Sequence, residues 1–352
     1  MMPPSIPFFY QTTSNDHQYR FEDCGIRHYQ EHPKLQDTPL KLSDFDYHLP
    51  EDKIAHQPLE TRDQSRLCYM DTKGNIRDHH FFELPEILQR KTLMIVNDSG
   101  VFKARIVGQR KTGKPYEILL LERPSSPQKG VPCLCRPQKQ LLAEEVLLLP
   151  GGITAKLRCN DQGKPRIYFD AQREELMTWL DQYGLTPLPP YIRRKTMLRD
   201  AARYQNLYSS SDYGSVAAST AGFHFSHDLM AKLQAKGHEF VFIRLHIGGG
   251  TFLPVRSDDL NQHEMHSEKY LIPQKSLAKI LEFQAKGDQI LYVGTTALRA
   301  MESFAKSFHY CGEQMMRATD QWHETSLFIY PKTKRDLYHP WLGHGMVTNF
   351  HT

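Results

Sequence analysis

Short apolar segments separated by turn residues fill the stretch from 99 to 169. Gly, Pro, Lys and Asn-Asp residues lie between the segments, which read VFKARIVG, YEILLLER, EEVLLL, ITAKLRC and RIYF. Regular short strands with turns between them are typical of a small β-barrel or sandwich. The pattern therefore predicts a compact β-rich insertion over 99–169.

Outside this stretch, strand-like and helix-like periods alternate. The run KTLMIV at 91–96 is apolar and partly β-branched, and it ends at a polar Asn-Asp pair. The segment EFVFIRLHI at 239–247 predicts a strand whose two faces differ: one carries Val241, Ile243, Leu245 and Ile247, and the other carries Phe240, Phe242, Arg244 and His246. The run QILYV at 289–293 leads through Gly-Thr-Thr into a helix with an apolar stripe. Strand, polar turn and helix in succession indicate an α/β architecture that surrounds the insertion.

A helix is predicted to restart the α/β pattern directly after the insertion. Asp170 is the expected N-terminal cap, and Gly184 is the expected C-terminal stop. The proline-rich segment 186–191 must then be extended or turned. The resulting domains are a loosely ordered extension over 1–40, a discontinuous α/β catalytic domain over 41–98 and 170–352, and the inserted domain over 99–169.

Composition restricts the class of protein. The chain has 352 residues, of which 39% are hydrophobic and 24% charged, so it can bury the cores of about two domains and is not a collagen, a coiled-coil rod or a low-complexity scaffold. No apolar run approaches the about 18 residues that a membrane span needs. The first residues lack the features of a signal peptide. We therefore expect a cytoplasmic protein without a membrane partner, whose six cysteines are reduced thiols.

The net charge of +4 is unevenly distributed. Five basic residues and no acidic residue lie between Lys103 and Pro115, and a second basic cluster contains Arg193, Arg194, Lys195 and Arg199. Such clusters suit a polyanion such as a nucleic acid, but a solvated surface has the same pattern. The charge alone leaves both interpretations open.

Polar residues follow the predicted strands, where α/β proteins collect their ligands. They are Asn97-Asp98, His246 with the glycines 248–250 and Thr251, and Gly294-Thr295-Thr296. Two further histidine-containing segments are SVAASTAGFHF at 215–225 and HEMHSEKY at 263–270. Titratable side chains beside glycine-rich turns indicate general acid–base chemistry on a bound small molecule.

Several alternatives compete for these segments. The triple glycine is followed by Pro254 where a dinucleotide fingerprint needs a helix. The Gly-Thr-Thr turn is either an anion site or a simple threonine helix cap. The His-x-x-His pairs at 224–227 and 263–266 suit either zinc or an ordinary surface. Ser219-Thr220 lacks the nucleophile elbow of a hydrolase.

Ten short motifs occur together from Leu42 to His351. They are LSDFDYHLPEDKIAHQPLETRDQSRL (42–67), NDSGVFKAR (97–105), PLPPYIRR (187–194), RYQNLY (203–208), GSVAASTAGFHF (214–225), LHIGGGTFLPV (245–255), MHSEKY (265–270), VGTTALRAMES (293–303), LFIYP (327–331) and TNFH (348–351). In this order they resemble the S-adenosylmethionine:tRNA ribosyltransferase-isomerase family of queuosine biosynthesis.

The resemblance implies a fold and a reaction. The implied fold is an α/β-barrel-like main domain with a mixed sheet and a smaller inserted β-barrel domain. The implied enzyme, a transferase and isomerase, moves the ribosyl part of S-adenosylmethionine onto 7-aminomethyl-7-deazaguanine (preQ1) in a tRNA anticodon loop. Adenine and methionine leave, and epoxyqueuosine remains in the tRNA. S-adenosylmethionine is then a co-substrate, no metal or prosthetic group is needed, and a monomer is expected.

The resemblance also implies roles for matching residues. The predicted proton-transfer residues are His224, His246 and His266. Glu268 is predicted to orient one of these histidines, and Asp98 is predicted to bind the amine or the guanine-like edge of the modified base. The predicted S-adenosylmethionine site is lined by Thr220, Gly248, Gly249, Gly250, Thr251, Gly294, Thr295 and Thr296. The residues predicted to bind tRNA or an anionic group are Arg105, Tyr191, Arg193, Arg194 and Arg299.

Four departures from the family pattern keep alternatives open. Ser99 and Gly100 stand where the family has Thr-Arg, and Ser219 stands where it has proline. Residues 1–40 have no counterpart, and the family continues beyond TNFH with a helical segment. The leading hypothesis is an active ribosyltransferase-isomerase. The alternatives are a catalytically impaired tRNA-binding protein and, because of the histidines, a metal-dependent hydrolase.

Overall fold

The structure is a computed structural model that describes most of the chain from Lys41 onward. The described residues are 41–71, 74–125, 129–136, 144–211, 213–252, 255, 259–263, 265–309, 311–329 and, for the backbone, 345–348. The predicted extension 1–40 and Pro254 lie outside this part of the chain, as do residues 349–351 of the last motif.

The described residues contain fourteen β-strands and seven α-helices. The strands are β1 (Arg66–Met70), β2 (Ile76–His80), β3 (Thr92–Asn97), β4 (Arg105–Arg110), β5 (Pro115–Leu120), β6 (Val131–Arg136), β7 (Glu145–Leu148), β8 (Thr154–Cys159), β9 (Pro165–Phe169), β10 (Glu239–Leu245), β11 (Glu268–Leu271), β12 (Gln289–Val293), β13 (Trp322–Thr325) and β14 (Gly345–Thr348). The α-helices are α1 (Leu84–Ile87), α2 (Arg173–Tyr183), α3 (Asp200–Arg203), α4 (His227–Ala235), α5 (Gln274–Lys286), α6 (Thr295–Ser307) and α7 (Gly312–Arg317).

The chain divides into two compact units. One contains the described residues within 41–98, 219–245 and 255–348, and we call it the sheet unit. The other consists of residues 99–218 and 246–253, and we call it the barrel unit. The predicted insertion 99–169 contains all the strands of the barrel unit. The exact domain boundaries inferred from the sequence remain predictions.

The sheet unit is built on a mixed six-stranded sheet with the order β13-β11-β10-β3-β12-β14. Strands β10, β3, β12 and β14 are parallel neighbours, whereas β11 pairs antiparallel with both β10 and β13. Every residue of β3 and of β12 is buried. Such continuous apolar runs are expected for parallel strands that are covered on both faces.

The predicted elements of the sheet unit are found in the structure. In β10, Val241, Ile243 and Leu245 share one face, as the sequence pattern predicts, and all three are buried, whereas the residues between them are partly buried. Helix α6 buries its predicted apolar stripe against the sheet. Its N-cap is Gly294, with φ of 89°, and no side chain caps the helix. The interpretation of Thr295 or Thr296 as a simple helix cap is therefore wrong.

The barrel unit contains a closed antiparallel barrel with the strand order β4-β5-β6-β9-β8-β7. Alternating residues of β5, β6 and β8 face its core, so that Val131, Cys133 and Cys135 point inward. The spacing of these cysteines thus has a packing role. Gly108 lets Leu149 approach the barrel wall, because a Cβ atom there would lie 2.7 Å from the Leu149 Cδ2 atom. The predicted small β-barrel is confirmed.

Helix α2 begins later than the sequence predicts. Gln172 is the N-cap, and the backbone N–H of Asp170 instead donates to Thr154 O at 3.1 Å, which extends the β8–β9 pairing. The prediction that Asp170 caps the helix is wrong because the ladder retains this residue. The predicted stop at Gly184 is confirmed, since its N–H donates to Leu180 O at 2.9 Å. Residues 186–191 form no helix, as predicted.

Among the described residues, no helix is long and apolar enough to cross a membrane.

Candidate functional site

Asp98 follows β3 at the carboxyl end of the central parallel strands. Its side chain is paired with Arg244 of the neighbouring strand β10. Arg244 Nε donates to Asp98 Oδ1 at 2.9 Å, and Arg244 Nη2 donates to Oδ2 at 2.8 Å. Such a two-bond guanidinium–carboxylate contact fixes both planes. Arg244 thereby orients the carboxylate that the sequence assigns to the modified base, and sequence reasoning missed this arginine.

The same strand end is held by Asn97. The buried Asn97 amide accepts from Leu245 N and donates to Leu245 O, both at 3.0 Å. The amide therefore supplies both hydrogen bonds that an adjoining strand residue would supply. This fixes the end of β10 against β3.

A second part of the sheet unit joins two segments predicted to bind S-adenosylmethionine. Ser219 Oγ lies 2.9 Å from Thr296 Oγ1, at the first turn of α6. Thr220 follows Ser219, whereas Gly294 and Thr295 precede Thr296, so four of the predicted residues belong to these two segments. The hydrogen bond between the Ser219 and Thr296 hydroxyl groups also restrains the turn at position 219, where the family has proline.

His224 lies at the end of the short helical segment Thr220–His224 and is buried. Its ring centroid is 5.3 Å from that of Phe81. Arg62 Nη1 donates to Phe223 O at 3.1 Å, and Ser226 Oγ contacts Asp63 while it accepts from Leu229 N. The imidazole therefore lies in a packed, anchored segment that defines its position.

Glu268 on β11 is paired with Arg299 on α6, and both side chains are nearly buried. Their exposed fractions are 7% and 12%. Arg299 Nη1 contacts Glu268 Oε2, and Nη2 donates to the carbonyl oxygens of His266 and Thr325, each at 3.3 Å. The structure thus brings together three predicted residues, Glu268, Arg299 and His266, in one network. The predicted roles of Glu268 beside a histidine and of Arg299 beside an external anion remain predictions.

The network continues into the core of α6. Ser303 Oγ donates to Arg299 O at 2.7 Å and lies 2.6 Å from Thr325 Oγ1. Thr325 Oγ1 in turn accepts from Leu327 N at 3.0 Å. Strand β13 is therefore joined to α6 by two side chains, Ser303 and Thr325, that the sequence analysis did not select.

Glu302 is a buried carboxyl group on α6, and burial raises its pKa from 4.5 to about 8. The folded protein then binds a proton here between pH 4.5 and 8 that the unfolded chain releases, so stability falls as pH rises through this window. We expect Glu302→Gln to raise the free energy of unfolding relative to wild type at pH 9 and to change it little at pH 4.5.

Urea denaturation at the two pH values measures this effect. Glu313→Gln, on the exposed surface of α7, is the control for the loss of one carboxylate. If the difference in the free energy of unfolding between Glu302→Gln and wild type were equal at both pH values, the raised pKa of Glu302 would be contradicted.

His246 belongs to the barrel unit, where it packs against the Gly214 backbone. A Cβ atom at position 214 would lie 2.1 Å from His246 Cε1 and 2.3 Å from Nε2. Ser215 Oγ accepts from Ile247 N at 2.9 Å and lies 2.6 Å from Ser99 Oγ. The sequence departure at Ser99 therefore retains a hydroxyl that joins the two segments next to His246.

Two glycines near these segments make close contacts. A Cβ atom at Gly249 would lie 2.0 Å from Leu121 Cδ2, so packing accounts for this member of the triple glycine. A Cβ atom at Gly100 would lie 2.6 Å from Tyr213 Cδ1. The space that a side chain would need at position 100 is thus filled by the Tyr213 ring.

A basic cavity of about 430 Å³ lies on the barrel unit. It contains three predicted tRNA-binding residues and is lined by Arg105, Glu117, Leu119, Leu134, Arg136, Pro187, Leu188, Pro189, Pro190, Ile192, Arg193, Arg194 and Lys195. Tyr191 is 42% exposed and does not line the cavity. The structure therefore brings together Arg105, Arg193 and Arg194, and it adds Arg136, which sequence reasoning missed.

Two of the cavity arginines are held by carboxylates. Arg105 is paired with Glu117 across β4 and β5. Arg194 makes two hydrogen bonds to Asp200, at 2.7 and 2.8 Å, and Asp200 also accepts from Met197 N at 2.7 Å. The Arg194 guanidinium lowers the pKa of the Asp200 carboxyl below its usual value. These pairs give the cavity a defined wall.

Within the part of the chain that the structure describes, no group of three or more His, Cys, Asp or Glu side chains could hold a metal ion.

Comparisons with known proteins give one consistent result. The family described as queuosine biosynthesis protein matches residues 42–352. Proteins named S-adenosylmethionine:tRNA ribosyltransferase-isomerase are similar to this chain. The one from Acinetobacter baumannii (strain SDF) is 37% identical over 89% of this chain and 85% of its own length. The one from Thermosipho melanesiensis is 37% identical over 89% of this chain and 87% of its own length.

A solved structure from Thermotoga maritima, described as S-adenosylmethionine tRNA ribosyltransferase, is 26% identical and covers 84% of this chain and 81% of that one. Its TM-score to this chain is 0.38. The family match over residues 42–352 and the 37% identity to these two relatives show the family. The chain belongs to the queuosine biosynthesis protein family.

Proposed function

We propose that this protein is an S-adenosylmethionine:tRNA ribosyltransferase-isomerase. It transfers and isomerises the ribosyl part of S-adenosylmethionine onto 7-aminomethyl-7-deazaguanine in a tRNA anticodon loop, and it releases adenine and methionine. The observation that carries this proposal is the 37% identity over 89% of the chain to relatives of that name. The family match over residues 42–352 spans the polar segments of both units.

The chemistry suits the side chains that these segments contain. The sulfonium of S-adenosylmethionine acidifies the neighbouring C5′ protons, so a positioned base removes one of them. Adenine departs more easily when a donor protonates it, and the amine of the modified base must be neutral to attack. Histidine changes charge near neutral pH and suits such proton transfers. We assign them to His224, His246 and His266.

Asp98 is the proposed acceptor for the amine or the guanine-like edge of the modified base. Arg244 holds both of its carboxylate oxygens by hydrogen bonds of 2.8 and 2.9 Å. A carboxylate oxygen has more than one lone pair, so Asp98 keeps capacity to accept from a bound base. Arg244 is then a positioning residue, since it acts through Asp98.

The S-adenosylmethionine site is assigned to Thr220, Gly248–Thr251 and Gly294–Thr296. The hydrogen bond between Ser219 and Thr296 supports the part of this assignment that lies in the sheet unit. The proposed catalytic domain is α/β-barrel-like and consists of residues 41–98 and 170–352, around an inserted domain at 99–169. We also propose that the protein is a cytoplasmic monomer and that its reaction requires no metal.

The catalytically impaired alternative rested on Gly100, Ser219 and the C-terminus. Tyr213 fills the space beside Gly100, and the Ser219 hydroxyl contacts Thr296. Both departures are therefore accommodated by packing. The similarity to relatives named S-adenosylmethionine:tRNA ribosyltransferase-isomerase favours an active enzyme over a catalytically impaired tRNA-binding protein.

An adenine-release assay tests the proposed function. The protein is incubated with S-adenosylmethionine and a tRNA that carries 7-aminomethyl-7-deazaguanine, and free adenine is measured by chromatography. We expect adenine release that requires the modified tRNA, with unmodified tRNA as the control. Tight tRNA binding without adenine release would favour the impaired alternative. Activity lost with a chelator and restored by zinc would favour a metal-dependent enzyme.

A further inference from the structure

We infer that the basic cavity of the barrel unit binds one nucleotide of the tRNA outside the reacting base. This inference rests on the proposed function for the identity of the RNA. The cavity lining contains none of the proposed proton-transfer residues, and it includes Arg136 and Lys195 beside the predicted tRNA-binding residues Arg105, Arg193 and Arg194. What it offers is a pocket for a phosphate group with its attached sugar and base.

The charge of the cavity selects an anion. Its lining contains five cationic side chains and one carboxylate, Glu117. Arg105 is paired with Glu117, and Arg194 is paired with the buried Asp200, which does not line the cavity. Among the described residues, Arg136 and Lys195 have no ion pair with a carboxylate. These two cations are the groups best placed to neutralise a phosphate.

The shape of the cavity suits a nucleotide more than an isolated ion. Its volume of about 430 Å³ lies within the range of small-molecule sites. Leu119 and Leu134 give one apolar surface, from β5 and β6, and Ile192 belongs to the facing segment. Nucleotides in RNA loops present an unstacked base beside a charged phosphate, which matches an apolar wall beside cations.

The walls are rigid enough to form a site before RNA binds. One wall is part of the closed barrel, with β4, β5 and β6 in register. The other contains Pro187, Pro189 and Pro190, whose rings restrict the backbone. The bidentate contact of Arg194 with Asp200 anchors the end of this segment. A prebuilt pocket loses little entropy when it binds a loop.

Charge reversal at Arg136 and at Lys195 tests the inference. The matched control is Lys164→Glu, because Lys164 lies in the exposed β8–β9 turn of the same barrel and does not line the cavity. All three variants change the net charge equally. We expect Arg136→Glu and Lys195→Glu to weaken binding of a modified anticodon stem-loop about tenfold at ~0.1 M salt. The control stays within about twofold of wild type.

Two readouts separate a direct contact from a general change in the protein. The slope of log Kd against log salt should fall by about one for each cavity variant and remain unchanged for Lys164→Glu. In the adenine-release assay, KM for tRNA should rise while kcat and KM for S-adenosylmethionine remain those of wild type. Thermal unfolding midpoints within a few degrees of wild type show that the variants fold.

The outcomes distinguish this inference from the proposed function. If wild type releases adenine and all three variants bind RNA alike, the cavity inference is wrong and the function stands. If wild type releases no adenine but only the two cavity variants lose RNA binding, the cavity inference stands and the function fails. If adenosine 5′-monophosphate binds the cavity without competing with the stem-loop, the cavity serves a free nucleotide and the inference is overturned.

Discussion

Replacing Gly214 by alanine is expected to lower kcat for adenine release by about 100-fold. The added Cβ atom would lie between 2.1 and 2.4 Å from three ring atoms of His246, far inside van der Waals contact. The imidazole must therefore move. A displacement of about 1 Å in a proton-transfer group is enough for a loss of this size. The backbone conformation at 214 is not left-handed, so alanine adds no backbone strain of its own.

A double-mutant comparison isolates this steric effect. His246→Ala should lower kcat as strongly as Gly214→Ala, with little change in tRNA affinity. Combining the two changes removes the clash, so the double variant should be more stable than Gly214→Ala and equally inactive. Measurements of kcat, of tRNA Kd and of the thermal midpoint check these expectations. A Gly214→Ala enzyme with wild-type kcat would show that the position of His246 is unimportant.

Replacing Arg299 by methionine is expected to lower the free energy of unfolding by about 3 kcal/mol. The change leaves the nearly buried Glu268 carboxylate without its guanidinium partner, and loss of one member of a buried pair is far more costly than loss of both. It also removes the hydrogen bonds to the carbonyl groups of His266 and Thr325. Burial lowers the pKa of Arg299, and the neighbouring Glu268 carboxylate raises it. The charged form of Arg299 is therefore stabilised by Glu268.

The matched control is an exposed ion pair in the same unit. Arg317 and Glu313 on α7 are paired at i and i+4, but their side chains are 77% and 73% exposed. Arg317→Met should therefore change the free energy of unfolding by less than about 1 kcal/mol. Adding Glu268→Leu to Arg299→Met should recover most of the loss. Equal effects of Arg299→Met and Arg317→Met in urea denaturation would contradict the role of the buried pair.

Much of the fold follows from local pattern. Alternation in β5 and β8 predicts strands with one buried face, and the continuous apolar runs of β3 and β12 predict buried parallel strands. The order of strands in the sheet does not follow from pattern, because it depends on long-range pairing. Asp170 illustrates the limit: its sequence suits a helix cap, but the barrel ladder uses its N–H.

The candidate site was predicted less completely, because its partners are distant in sequence. The pattern of β10 predicts that Arg244 shares a face with His246, but only the pairing of β10 with β3 brings it to Asp98. Gly214 was selected only as part of a motif, and its role depends on a ring 32 positions away. Arg136 belongs to neither basic cluster and reaches the cavity because β6 adjoins β5.

The most direct test of ribosyl transfer follows a label in the ribose of S-adenosylmethionine. The protein is incubated with labelled S-adenosylmethionine and tRNA that carries 7-aminomethyl-7-deazaguanine, and the digested nucleosides are analysed by mass spectrometry. The account predicts one labelled epoxyqueuosine in the tRNA for each adenine released. Adenine release with the label left entirely in solution would show that the protein cleaves S-adenosylmethionine without transferring its ribosyl group.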